Sequence, residues 1–212
     1  MSDLFIKICY CKFMKKLSIY IFFILLIFSN SIYADDIQDF QIEGISIGDS
    51  LLDHLSKEEI ITEIAANKQV YNYLTDKFGE VYLFNGNFEI YENLSFFVKQ
   101  NDKNYKTYSI RGMITYDDNI EKCYTKQNEI AKEISLIFKN AERIEDDFKF
   151  PWDPTGKSHI FHKKFILNSG DVIYVSCSEY ERNLKIENGW TDGLSVSIKA
   201  GEVVSWLQNH IN

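Results

Sequence analysis

Two serines sit in spacings that could make nucleophiles. Gly44-Ile45-Ser46-Ile47-Gly48 has the G-x-S-x-G pattern, in which a serine on a strained strand-to-helix turn is held out for attack on an ester. Gly48-Asp49-Ser50-Leu51 offers a second serine four residues on. A serine hydroxyl is a weak nucleophile until a base takes its proton, so either reading needs a histidine within reach. The order Ser…Asp…His could be filled by Asp153 with His159 or His210, but a chain this rich in acids satisfies that order by chance. The scaffold also argues against an elbow, because that fold places several strands ahead of its nucleophile.

Residues 48–51 resemble the block that names the GDSL hydrolases, and the resemblance implies Ser50 as nucleophile. That family also carries a G-x-N-D block and a late D-x-x-H block that brings the base. Here Asn101-Asp102 follows Lys99-Gln100 without the glycine, and His210 is preceded by Leu207 where the aspartate belongs. The residues themselves point to a plainer role. Gly44 and Gly48 permit tight turns, and Asp49 or Ser50 can cap a short helix through a side-chain oxygen. No catalytic residue is assigned.

Three other patterns look like chemistry. Gly156-Lys157-Ser158 copies the end of a phosphate-binding loop, but Pro151 stands where the first glycine belongs and a strand follows instead of the required helix. Asp153-Pro154-Thr155-Gly156 reads as a β-turn. His159-x-x-His162 lies in a strand-like run, where three-residue spacing sends the two rings to opposite faces, so no metal and no cofactor is expected. Trp152 and Trp190 lie in loops, where an exposed aromatic is a candidate ligand contact; tucked loop anchors are the competing reading.

The N-terminus is written like a sorting tag. Lys15 and Lys16 precede the apolar run LSIYIFFILLIF, and Ser29 to Ala34 ends on a small residue. This order predicts a signal peptide over residues 1–34, cut after Ala34, with Met14 as the start that suffices. The alternative is an uncleaved anchor, although the run is shorter than the roughly 20 residues that span a bilayer. Cleavage removes four lysines and one aspartate and takes the formal net charge from −8 to −11. No cluster of Lys and Arg is visible along the chain, so nucleic acid is not an expected partner, nor is the membrane once the leader is cut.

Two of the four cysteines, Cys9 and Cys11, leave with the leader; Cys123 and Cys177 remain. In an exported chain these are most economically one disulfide.

Residues 40–47 look like a first strand, followed by a short helix at residues 51–55. Ser56-Lys57-Glu58-Glu59 is a capping box opening a helix through Ile64. Strand patterns follow at residues 80–84, 94–100 and 105–116, with Asn85-Gly86 as a hairpin signal. In the third run Tyr108, Ile110, Ile114 and Tyr116 fall on one face, opposite Thr107, Ser109 and Arg111.

Helical spacing of apolar residues from Ile120 to Ala141 predicts the longest helix. Residues 144–158 read as an acidic, aromatic loop. Three strands (HIFHKKFIL, DVIYVSCS, LSVSIK) and a helix from Ala200 close the chain, residues 168–171 making a hairpin. Residues 35–212 therefore read as one α+β domain with an antiparallel sheet and helices on one face, an order that can be parsed as two helix-plus-three-strand halves.

GISIGDSLLDHLSKEEI, placed soon after a leader, resembles the start of small exported proteins of unassigned function from AT-rich bacterial genomes. The late cysteines, one on a helix and one in the strand VSC, fit that layout. The resemblance implies export and the fold layout, and no activity. With the leader, acidic surface and cysteine pair, the reading is a periplasmic or secreted disulfide-containing domain that acts by binding a small ligand or an envelope protein. An exported hydrolase using Ser46 or Ser50 is the rival.

Overall fold

The computed structural model describes residues 37–70, 77–84, 87–117 and 119–210; the predicted leader and the Asn85-Gly86 turn lie outside them. These residues form an α+β fold around one antiparallel sheet of seven strands. In chain order the elements are α1 (Lys57–Val70), β1 (Phe78–Phe84), β2 (Asn93–Lys99), β3 (Thr107–Thr115) and α2 (Ile120–Ile137). Then come β4 (Glu142–Lys149), β5 (His159–Ile166), β6 (Val172–Glu179), α3 (Arg182–Asn188), β7 (Gly193–Lys199) and α4 (Gly201–His210). The sheet order is β1-β2-β3-β7-β6-β5-β4. Two meanders therefore meet at β7, and the second half has four strands rather than the expected three.

Period-two alternation gives the sheet two unlike faces. On β2, Leu94, Phe96 and Val98 are buried on the inner face with Ile110, Val175, Val196 and Ile198. The intervening positions of the central strands are largely serines, cations and aromatics. Helix α1 opens with the capping box: Ser56 N–H donates to Glu59 Oε2 at 2.8 Å and Glu59 N–H to Ser56 Oγ at 3.3 Å. It covers β1 with Ile60 and Ile64. A Cβ at Gly79 would stand 2.7 Å from Ile64, so this helix approaches closely only because position 79 has none.

Helix α2 crosses β6 and β7, burying Cys123, Gln127, Ala131 and Ile134 at helical spacing. Cys123 is disulfide-bonded to Cys177 on β6, with Cα atoms 6.0 Å apart. One turn on, Gln127 Nε2 donates to the carbonyls of Phe161 and Val175 at 2.7 and 2.8 Å.

Four expectations are corrected. Residues 40–47 form no strand: Glu43 and Gly44 take positive φ (53° and 76°) and turn the chain back so that Ile42 bridges Ile45. The Glu43 carboxylate then accepts the N–H groups of Glu89, Ile90 and Tyr91. Residues 142–149 are strand β4, an edge strand whose charged, mostly exposed side chains read as loop. Edge strands tolerate such charge because it discourages pairing with another chain.

The other two corrections are linked. The register slips between Phe97 and Val98, opposite Tyr108; such a bulge re-aims a side chain. Tyr108 accordingly joins Phe78 and Phe97 in a second, outer-face cluster. That apolar patch needs a cover, and α4 supplies it with Val203 and Trp206, the indole 5.1 Å from Phe78 and 5.8 Å from Phe97. The last helix thus lies on the opposite face from α1 and α2, not with them.

Candidate functional site

Beyond the α4 patch, no described helix packs on the outer face of the sheet. The ladder register lines its side chains up in rows running across the strands. One row reads Tyr82, Ser95, Arg111, Ser197, Tyr174, Lys164 from β1 to β5. On one side of it runs Glu80, Phe97, Ser109, Lys199, and on the other Asn93, Met113, Ser195, Ser176, His162, Asp146. Serines form the floor: Ser95, Ser109, Ser176 and Ser197 are each buried beneath longer neighbours. Three cations, Arg111, Lys164 and Lys199, stand on this floor in a chain of net charge −8.

Arg111 is fixed in place. Its Nε donates to Ser95 Oγ at 3.1 Å, and its Nη2 donates to Glu80 Oε1 at 3.2 Å and Tyr82 Oη at 2.9 Å. Glu80 is 3% exposed, so the pair is a partly desolvated, charge-assisted contact that neutralises itself. Lys199 differs. Its Nζ lies 4.9 Å from the Tyr174 ring centroid, and no described carboxylate comes within 4.0 Å of it. Burial strips water from the ammonium and Arg111 repels it, which pushes its pKa down to about 8. Glu80, Ser95, Ser109, Arg111 and Lys199 line one cleft of about 120 Å³, walled by Phe97 and Leu207. Arg111 also borders a second cleft of about 160 Å³ that runs toward Ser195, Ser178 and Tyr180.

His162 sits further along the face, between the rings of Phe148 and Tyr174. Its Nδ1 is 2.6 Å from Ser176 Oγ. Burial, then Lys199 and Lys164, push its pKa down to about 4 against the opposing pull of Asp146, so the imidazole is neutral near pH 7. His159, on the opposite face, contacts Asp147 at 3.3 Å; the pair does not converge. Among the described residues no three His, Cys, Asp or Glu side chains are grouped to hold a metal ion.

The serines singled out in the sequence lie elsewhere. Ser46 is buried; its N–H donates to Asp49 Oδ2 at 2.8 Å and its carbonyl accepts from Thr107 Oγ1 at 2.7 Å. Ser50 caps the 3-10 turn Leu51–Asp53 by accepting from Leu52 N–H, and donates to the Asn104 carbonyl at 2.7 Å. Neither hydroxyl is hydrogen-bonded to a histidine. The Gly156-Lys157-Ser158 segment is a turn: Gly156 N–H donates to the Asp153 carbonyl, and the Asp153 carboxylate accepts from the Thr155, Lys157 and Ser158 amides. Burial would raise the Asp153 pKa, but hydrogen bonds from Thr155 and Ser158 hold it well below the usual carboxylate range.

Trp152 and Trp190 meet in one aromatic cluster. Phe150 is its centre, 5.2 Å from Trp152, 5.3 Å from Trp190 and 5.3 Å from Tyr180. Trp190 is half-buried, whereas Trp152 is 64% exposed.

The outer-face cations were missed because they come from separate strands and never adjoin in sequence. A signal for them was nonetheless present. Ser109-x-Arg111, Tyr174-x-Ser176 and Ser195-x-Ser197-x-Lys199 put polar side chains at every second place with apolar residues between them, whereas Lys163 beside Lys164 hides the pattern in β5. No protein-family model, curated protein or solved structure matches the chain.

Proposed function

We propose that this chain is an exported, disulfide-containing domain that acts by binding, and that its ligand or envelope partner docks on the outer face of the sheet between α4 and His162. The observation that carries this reading is the placing of Arg111, Lys164 and Lys199 over a serine floor on the part of the outer face beyond the α4 patch, in an otherwise acidic chain. Glu80 accounts for Arg111, but folding alone gives no reason to set Lys164 and Lys199 on the same face with no described carboxylate within 4.0 Å of either. Export is supported by the leader pattern and by the Cys123–Cys177 bond, which persists in oxidising compartments.

A hydrolase is the second reading, and the Ser176–His162 contact is what favours it. A neutral imidazole 2.6 Å from a hydroxyl can accept its proton. Against it, Ser176 is 4% exposed and no described carboxylate hydrogen-bonds His162 to orient it as a base. Protein recovered from the envelope, incubated with envelope extract as bait, separates the two. Lys164→Glu and Lys199→Glu should each abolish capture that Ser50→Ala leaves intact, and none of the proteins should turn over p-nitrophenyl esters. Turnover lost in Ser176→Ala, Ser46→Ala or Ser50→Ala defeats the binding reading.

A further inference from the structure

We propose that the cleft between β1, β3 and β7 is a site for one small oxyanion, a carboxylate or phosphate group, gripped by Lys199 beside Arg111 and by the Ser109 hydroxyl. This rests on the outer-face binding reading and names its ligand chemistry.

Size sets the first limit. A cleft of about 120 Å³ holds about four waters' worth of volume and falls below the roughly 300–1,000 Å³ of pockets that enclose drug-sized ligands. One ionic group fits; a whole nucleotide does not. Charge sets the second. Arg111 and Glu80 neutralise each other, so Lys199 leaves the cleft with one unbalanced positive charge. An anion supplies the counter-charge that no described carboxylate within 4.0 Å of Nζ supplies.

Hydrogen-bonding capacity sets the third. Ser109 is 4% exposed, its hydroxyl makes no hydrogen bond, and no fully buried polar side-chain atom of the described residues lacks a partner, so this hydroxyl opens into the cleft. Ser95 Oγ already accepts from Arg111 Nε, which leaves its proton to donate. Phe97 and Leu207 wall the site and lower the local dielectric, where each charge-assisted bond is stronger.

The test titrates the exported, oxidised protein with sulfate, inorganic phosphate and acetate against chloride at matched ionic strength, read by calorimetry. Saturable binding of sulfate or phosphate alone assigns a phosphate-type ligand; tighter binding of acetate assigns a carboxylate. Lys199→Gln should weaken binding by about tenfold or more, Ser109→Ala severalfold, and Lys199→Arg should restore it. Sulfate keeps its charge across the range, so its affinity should be flat between about pH 6 and 7, above the titration of His162, and fall above about pH 8 as Lys199 deprotonates, but not in Lys199→Arg. The charged or titratable groups around this ammonium are Arg111, Glu80, Lys164, His162 and Tyr174, with Glu202 of α4 held by Lys77 and Lys99.

No saturation beyond chloride, or wild-type affinity in Lys199→Gln, overturns the oxyanion assignment. If that happens while Lys199→Glu still blocks partner capture, only the ligand class falls. If capture is also unchanged, the outer-face reading falls with it.

Discussion

At position 199 a lysine keeps its ammonium beside Arg111 and over the Tyr174 ring. Its folded pKa, about 8, lies below the ordinary 10.5. Between those values the unfolded chain holds a proton that the folded chain has lost, so the stability of ligand-free protein rises with pH across that window. Lys199→Met should therefore raise the urea midpoint at pH 7 and flatten the rise between pH 8 and 10.5. A lower midpoint at pH 7 contradicts this. His162 follows the same sign at acid pH: stability should fall as pH drops from 6.5 to 4, and His162→Gln should lessen that fall in a urea series. Arg111 behaves oppositely to Lys199, because removing it strands the buried Glu80 carboxylate. Arg111→Met should cost about 2–4 kcal/mol in urea denaturation, and Glu80→Gln in the same chain should recover part of it.

Among elements, α2 shows how a helix is fastened at two consecutive turns, covalently by Cys123 and by hydrogen bonds from Gln127. Gln127→Leu removes both hydrogen bonds to the sheet carbonyls and should cost about 1–3 kcal/mol, measured by urea denaturation; a neutral result would mean that the ladder bonds and leucine packing suffice there. Periodicity made α2, β2, β3, β5, β6 and β7 legible, and the Ser56 capping box located the start of α1. It failed where local signals competed. Ile42, Ile45 and Ile47 look like strand residues, yet Glu43 and Gly44 turn the chain in the left-handed region. In β4, Glu145, Asp146 and Asp147 looked like loop because an edge strand buries little. Tyr108 kept the period of its neighbours until a bulge in the β2–β3 pair, invisible from one strand alone, sent it to the other face.

For the whole molecule, the two faces of the sheet differ: an apolar inner face builds the core under α1 and α2, and the outer face is polar beyond the apolar patch that α4 covers. The disulfide ties that core together across 54 residues. By chain-entropy reasoning its loss should cost about 4 kcal/mol, to be measured as the urea-unfolding difference between oxidised protein and Cys123→Ala/Cys177→Ala. A difference near zero would show that the inner-face packing suffices. The candidate site was much less legible than the fold, since Arg111, Lys164 and Lys199 come from β3, β5 and β7 and only the strand order 3-7-6-5 gathers them.

Everything functional depends on the outer face being where ligand binds. Backbone amide chemical shifts recorded while sulfate is added to the exported, oxidised protein locate that site directly. Shifts centred on Ser95, Ser109, Arg111, Ser197 and Lys199, absent in Lys199→Gln, are expected. Shifts centred on Trp152 and Trp190, or spread evenly over the surface, would contradict that placement.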